Sequence, residues 1–157
     1  MANLEYQKNF LNYCFFKIFR IVLVAFSVSF LSLSASAQAV YEPSRGTAER
    51  TDILNAVRPM LEARVGPPVE FVVNWMRSGA GWAFVQLNPQ RPGGGSIDLY
   101  QTTFAGQAEY MDGITTYALL RYQYNRWNLI DFVVGPTDVF WHGDPLYGQL
   151  PAGLTPY

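Results

Sequence analysis

The clearest periodicity in the chain starts at Thr47. Ile53, Leu54, Val57, Met60, Leu61 and Val65 recur at helical spacing, while Asp52, Asn55, Arg58 and Glu62 fall off that stripe. One apolar stripe of this width predicts an amphipathic helix with a single buried side. Thr47 stands where an N-cap belongs, with Glu49 in the first turn, where the helix dipole favours an acid. Gly66 followed by Pro67-Pro68 ends the pattern. Pro59 lies inside it, so a kink near Asn55 or a division into two short helices is expected.

Beyond the prolines the pattern changes to β-branched and aromatic runs. Val69–Arg77 and Trp82–Asn88, separated by Ser78-Gly79-Ala80-Gly81, predict a hairpin. Pairing Arg77 with Trp82 would set Trp75 opposite Phe84 on one face. Pro89 ends the second strand, and Gln90–Ser96 reads as a loop. Ile97–Gly113 fits either one irregular strand or a long excursion. Asp112-Gly113 marks a turn, and Ile114–Tyr124 and Trp127–Val134 form a second hairpin about Asn125-Arg126. With that two-residue turn, Tyr124 pairs with Trp127, Tyr122 with Leu129 and Leu120 with Asp131. Both faces of this hairpin are apolar, so both need a cover. The helix is one; the 97–113 stretch, the C-terminal segment or a second copy of the chain could be the other. The segment after Gly135-Pro136 reads as an irregular tail laid against the sheet.

Helix, hairpin, long connection, hairpin: this order predicts an α+β fold, one N-terminal helix packed on a curved antiparallel sheet of about four strands. Its element order resembles cystatin-like and NTF2-like rolls, a resemblance that fixes no function. The domain plan is a leader at 1–39, an extended lead-in at 40–46, a single α+β domain at 47–141 and an irregular tail at 142–157.

The leader rests on its own pattern. Lys8, Lys17 and Arg20 precede an uncharged apolar run of 13 residues, Ile21 to Leu33, and then Ser34-Ala35-Ser36-Ala37-Gln38-Ala39. A basic start, a short apolar core and an A-x-A site are the marks of a secretory signal peptide, cleaved after Ala37 or Ala39. The run is shorter than the roughly 20 residues a membrane span needs. A bacterial periplasmic or secreted location is expected.

Composition narrows the chemistry. The chain is 50% apolar and 16% aromatic, and the only cysteine is Cys14, inside the leader. Past Ala39 there are 8 Arg, no Lys and 11 Asp+Glu, a formal charge of −3. Nucleic-acid binding and a polybasic membrane patch are excluded for want of a basic face. With no cysteine past the leader, neither a disulfide nor a thiolate site can form there, and packing has to supply the stability.

Few constellations carry chemistry. Asp138, His142 and Asp144 give D-x-x-x-H-x-D, which reads either as a loose metal-ligand set or acid–base pair, or as an exposed tail. No serine sits in a nucleophile elbow with His142, the only histidine. Pro92-Gly93-Gly94-Gly95 and Gly79-x-Gly81 lack the neighbours that phosphate loops require and read as turns. On the expected register Asp131 shares an apolar face with Trp127, Leu129 and Val133. It is then either part of a cleft with Glu70 or Arg121, or a bulge or margin ion pair; a one-residue slip would turn it outward. Trp75, Trp82, Arg91, Tyr122 and Trp127 are the candidate binding surface, against the alternative that aromatic cross-strand pairs simply build the core.

Several stretches together, RGTAER (45–50), PVEFVV (68–73), WAFVQLNPQRPGGG (82–95) and LLRYQYNRWNLIDFVVGPTDVFW (119–141), resemble a family of small bacterial exported proteins of unknown function. The resemblance implies an exported protein and brings no activity or site residue. The reading that follows is a non-enzymatic periplasmic binding or interaction module with no cofactor, its partner a protein or cell-envelope component. The alternatives are a small NTF2-like enzyme or ligand pocket centred on Asp131, and a structural homodimer.

Overall fold

The computed structural model describes residues 39–156. The expected leader, with Cys14, lies outside the described residues except for Ala39. No described helix is long and apolar enough to cross a membrane.

One helix, α1 (Ala48–Val65), and four strands, β1 (Glu70–Gly79), β2 (Trp82–Gln90), β3 (Thr116–Gln123) and β4 (Arg126–Val134), form an α+β fold. The sheet is an antiparallel meander in the order β1-β2-β3-β4. Helix α1 begins where the sequence places it: Thr47 Oγ1 accepts from Arg50 N at 3.4 Å. It runs as one element through Pro59 and closes at Gly66, whose φ of 76° suits a residue without a Cβ. Ile53, Val57, Leu61 and Val65 are its buried line. Ile53 and Val57 of that line pack on Met76, Ala83, Val85, Leu87, Ala118 and Leu120.

Both hairpin turns fall one step away from their expected places. Gly79 pairs with Trp82 across Ala80-Gly81, and Gln123 pairs with Arg126 across Tyr124-Asn125. All four central residues have positive φ (50°, 75°, 55° and 60°). This backbone follows the right-handed strand twist, which a two-residue loop must match. The first register corrects the expected one by two residues: Trp75 pairs with Gln86, and Phe84 with Arg77. An even shift preserves faces, so Trp75 and Phe84 still pack in one cluster.

The second hairpin carries a larger correction. Near the turn Tyr122 pairs with Trp127 and Leu120 with Leu129, but Leu119 pairs with Asp131. Ile130 is therefore an extra residue, a β-bulge, and it is 44% exposed. The bulge changes strand parity. Leu129 and Phe132 pack under the helix, while Asp131 lies in the row of Phe84 and Leu119, on the opposite face. The expected company of Asp131 with Trp127 and Leu129 is thus overturned.

That opposite face is covered by the C-terminal segment, which settles which of the expected covers is used. Trp141, Tyr147 and Leu154 pack on Phe84 and Leu119 with Trp75, Trp82, Tyr117 and Phe140 around them. Edge-on ring contacts dominate: Trp141 lies 5.5 Å from Phe84 and Phe140 5.8 Å from Tyr117. The Trp75 indole N–H donates to Leu154 O at 3.0 Å, fixing the far end of the segment. Residues 97–113 are an excursion with two short 3-10 turns, Leu99–Gln101 and Ala105–Tyr110. Ile97 and Phe104 from it close the C-terminal end of the helix against Leu61, Val65 and Val69. It rejoins the sheet at Gly135, where an added Cβ would stand 2.6 Å from Gly113 O.

Candidate functional site

The residues singled out in the sequence do not form one site. Asp131 is half-buried and fully engaged. Its Oδ1 accepts from Phe132 N at 2.9 Å and its Oδ2 from the Tyr147 hydroxyl at 2.8 Å. It therefore ties the C-terminal cover to the edge strand. Neither expected companion reaches it: Glu70 accepts from Gly93 N, and Arg121 donates to Ala80 O while lying 4.5 Å over the Trp82 ring.

Burial, then the hydrogen bond to Asp131, raises the Tyr147 phenol above its ordinary value of 10.0. A phenol whose folded value is raised binds its proton more tightly folded than unfolded. The resulting stability is complete below pH 10.0 and lost as the pH rises beyond it. Tyr147→Phe is accordingly expected to cost about 1 kcal/mol at neutral pH. It is also expected to flatten the loss of stability above pH 10.0. Urea melts across the alkaline range check both.

The other candidates are equally accounted for. Asp144 Oδ1 accepts from Leu146 N at 2.7 Å, and its carbonyl accepts from Tyr147 N and Gly148 N. His142 stacks edge-on to Trp141 at 6.2 Å. Among the described residues no group of three His, Cys, Asp or Glu is placed to hold a metal, so Asp138, His142 and Asp144 do not meet as a ligand set. Arg91 reaches back to the helix end, where it donates to Val65 O (2.7 Å), Gly66 O (2.5 Å) and Pro68 O (3.1 Å). Trp75 and Trp82 belong to the aromatic layer beneath the C-terminal segment.

Tyr122 and Trp127 are different. Paired across β3 and β4, their rings meet edge-on at 5.2 Å, and Tyr122 is 45% exposed. They form one wall of a cleft of about 330 Å³ between the first turns of α1 and the hairpin ends. Tyr41, Glu49, Asp52, Ser78, Gly79 and Gly81 form the rest. A hollow of about 350 Å³ shares Asp52, Tyr122 and Trp127 and adds Asn55, Asn125 and Arg126.

The lead-in builds one side of this cleft. Tyr41 exchanges two backbone hydrogen bonds with Ser78 (2.9 and 2.8 Å), at the outer edge of β1. The Tyr41 hydroxyl lies 2.9 and 2.8 Å from the two Glu49 oxygens, and the Ser78 hydroxyl donates to Oε1 at 2.7 Å. Partial burial and the hydrogen bond to Glu49 hold the Tyr41 phenol above its ordinary value. Glu49 is thus oriented by neutral donors. Nearby Arg50 and Arg77 are turned to Glu42, at 3.7 and 2.8 Å. Asp52, exposed one turn along, has no hydrogen-bond or ion-pair partner among the described residues.

Sequence reading reached Tyr122 and Trp127 and missed Tyr41, Glu49 and Asp52. The available signal was the spacing of Glu49 and Asp52, three residues apart on a helix and therefore neighbours on its surface. Comparison with family models, curated proteins and solved structures finds no match for this chain.

Proposed function

We propose that this chain is an exported, non-enzymatic binding module, and that the cleft between α1 and the hairpin ends is its binding site. The observation that carries this reading is the Tyr122–Trp127 pair, exposed at Tyr122 and half-buried at Trp127, lining one cleft with Asp52, a carboxylate with no partner among the described residues. Aromatic surface beside a free polar group is what a binding site needs, apolar area for affinity and one oriented charge for selectivity. The leader pattern and the resemblance to small exported bacterial proteins support a periplasmic or secreted setting. The Asp131-centred reading loses its support, because that carboxylate is engaged by Tyr147 and the Phe132 backbone.

Envelope extract passed over the immobilised protein tests the proposal. A component retained by the wild-type protein and lost from Trp127→Ala, but kept by Glu109→Gln on the exposed excursion, is the expected result. Retention indifferent to Trp127→Ala, or no retention at all, removes the cleft as the site.

A further inference from the structure

We propose that the cleft takes an organic cation, an ammonium or guanidinium group on a short apolar stem. Its charge would lie between Asp52 and Glu49, and its stem against Tyr122 and Trp127. This rests on the cleft being the binding site proposed above and specifies the ligand it accepts.

The first ground is charge. The two carboxylates of the cleft, Glu49 and Asp52, have no cationic partner among the described residues; nearby Arg50 and Arg77 pair with Glu42 instead. Arg126, at the rim of the adjoining hollow, is turned to Asn128 Oδ1 at 3.1 Å. An anion would meet uncompensated repulsion. A cation would supply the missing partner, with Asp52 free to accept and Glu49 already held in one orientation by Tyr41 and Ser78. Fixing the acceptor beforehand lowers the ordering cost of binding.

The second ground is the wall. A bare divalent ion of the calcium or magnesium kind seeks six or more oxygen ligands, whereas three of the groups framing this cleft are aromatic side chains and two are carboxylates. Aromatic faces attract ammonium and guanidinium groups through the ring quadrupole, worth about 0.5–1 kcal/mol at exposed sites. Among the described residues the same contact occurs four times, with Arg58, Arg64, Arg77 and Arg121 lying 4.4–4.9 Å from the centres of Phe71, Phe132, Trp75 and Trp82. Tyr122 and Trp127 are paired with each other and, among the described residues, with no such arginine. A volume of about 330 Å³ is at the small end of ligand pockets, which suits one cationic head and its stem.

Free amines and basic side chains of a polypeptide share this chemistry, so calorimetric titration uses two probes: agmatine, and a capped Gly-Arg-Gly peptide with its uncharged citrulline counterpart. Binding of agmatine alone identifies a small amine as the ligand; binding of the arginine peptide as well extends it to protein side chains. In either case Asp52→Asn, an exposed substitution that leaves packing intact, is expected to weaken binding at least about tenfold. Trp127→Ala should do likewise, and Asp98→Asn on the excursion should change nothing. Failure of both cations at about 10 mM, equal binding of the citrulline peptide, tighter binding of a neutral sugar such as N-acetylglucosamine, or indifference to Asp52→Asn would each overturn the assignment. If extract retention still depends on Trp127 while no cation binds, the ligand class falls and the cleft stands. If retention ignores Trp127, the cleft falls first.

Discussion

Replacing Trp141 by alanine is expected to lower the unfolding free energy by about 3–5 kcal/mol, the range found when a large buried aromatic is truncated. The indole is 8% exposed and touches Phe84, Tyr117 and Phe140 at 5.1–5.5 Å between ring centres. Removing it would empty the centre of the layer between the sheet and the C-terminal segment. The substitution would also loosen the segment as a whole, because Phe140 and Tyr147 pack through the same cluster. Trp141→Phe should recover most of the loss. It keeps a ring in place and gives up an indole N–H that has no hydrogen-bond partner among the described residues. Urea denaturation of the two variants beside the wild type separates ring packing from polar contact. Equal, small effects of both substitutions would mean that the segment contributes little to the fold.

Arg91→Ala is expected to cost about 2–3 kcal/mol, and Arg91→Lys to recover less than half of it. The guanidinium satisfies three carbonyls at once, at the point where α1 ends and the chain turns into β1. The last carbonyls of a helix have no partner within it, and a hydrogen bond from a charged donor contributes about 1.5–3 kcal/mol, less where water can replace it. A lysine brings the charge without the planar fork and cannot span Val65 O and Gly66 O together. Hydrogen exchange gives the more discriminating readout: amides in the last turn of α1 should lose protection in both variants, while those at the centre of β2 and β3 follow global stability alone. The effect should be independent of the cleft, since Arg91 lies at the opposite end of α1 from Glu49 and Asp52.

How far the sequence determines each of these features depends on the range of the interaction behind it. The helix was legible from Thr47 to Gly66 because its stripe, cap and stop are all local. So was the division of β1 and β2 into faces, which survives any even error in register; that is why Trp75 and Phe84 fall together although their pairing does not. Turn position was not legible to the residue. Ala80 and Tyr124 adopt a positive φ that nothing in their side chains favours, and only strand twist and tertiary packing select it. Asp131 shows the cost of that gap. A single inserted residue, Ile130, moves it from the helix face to the aromatic layer, and with it the candidate site changes from catalyst to clasp. Arg91, read as surface, caps the helix through a contact that crosses 25 or so residues and leaves no trace in local pattern. Within the cleft, Tyr122 and Trp127 were visible as aromatics, whereas the role of Tyr41 depends on the lead-in returning to pair with Ser78.

The two bulges also bear on what the open sheet does in a crowded compartment. β1 and β4 are its outer strands, and each is irregular: β1 between Val73 and Trp75, β4 at Ile130. An unbroken outer strand offers a straight row of amides and carbonyls onto which a stranger can crystallise, and fibrils grow that way. A kinked border breaks the row after a few residues and over-twists what remains. On β1 the Tyr41 backbone occupies part of the vacant row as well. A protein that has no disulfide to fall back on in its described residues can in this way keep both margins unattractive to other chains, and straightening β4 by deleting Ile130 would put solubility at risk before it touched the core.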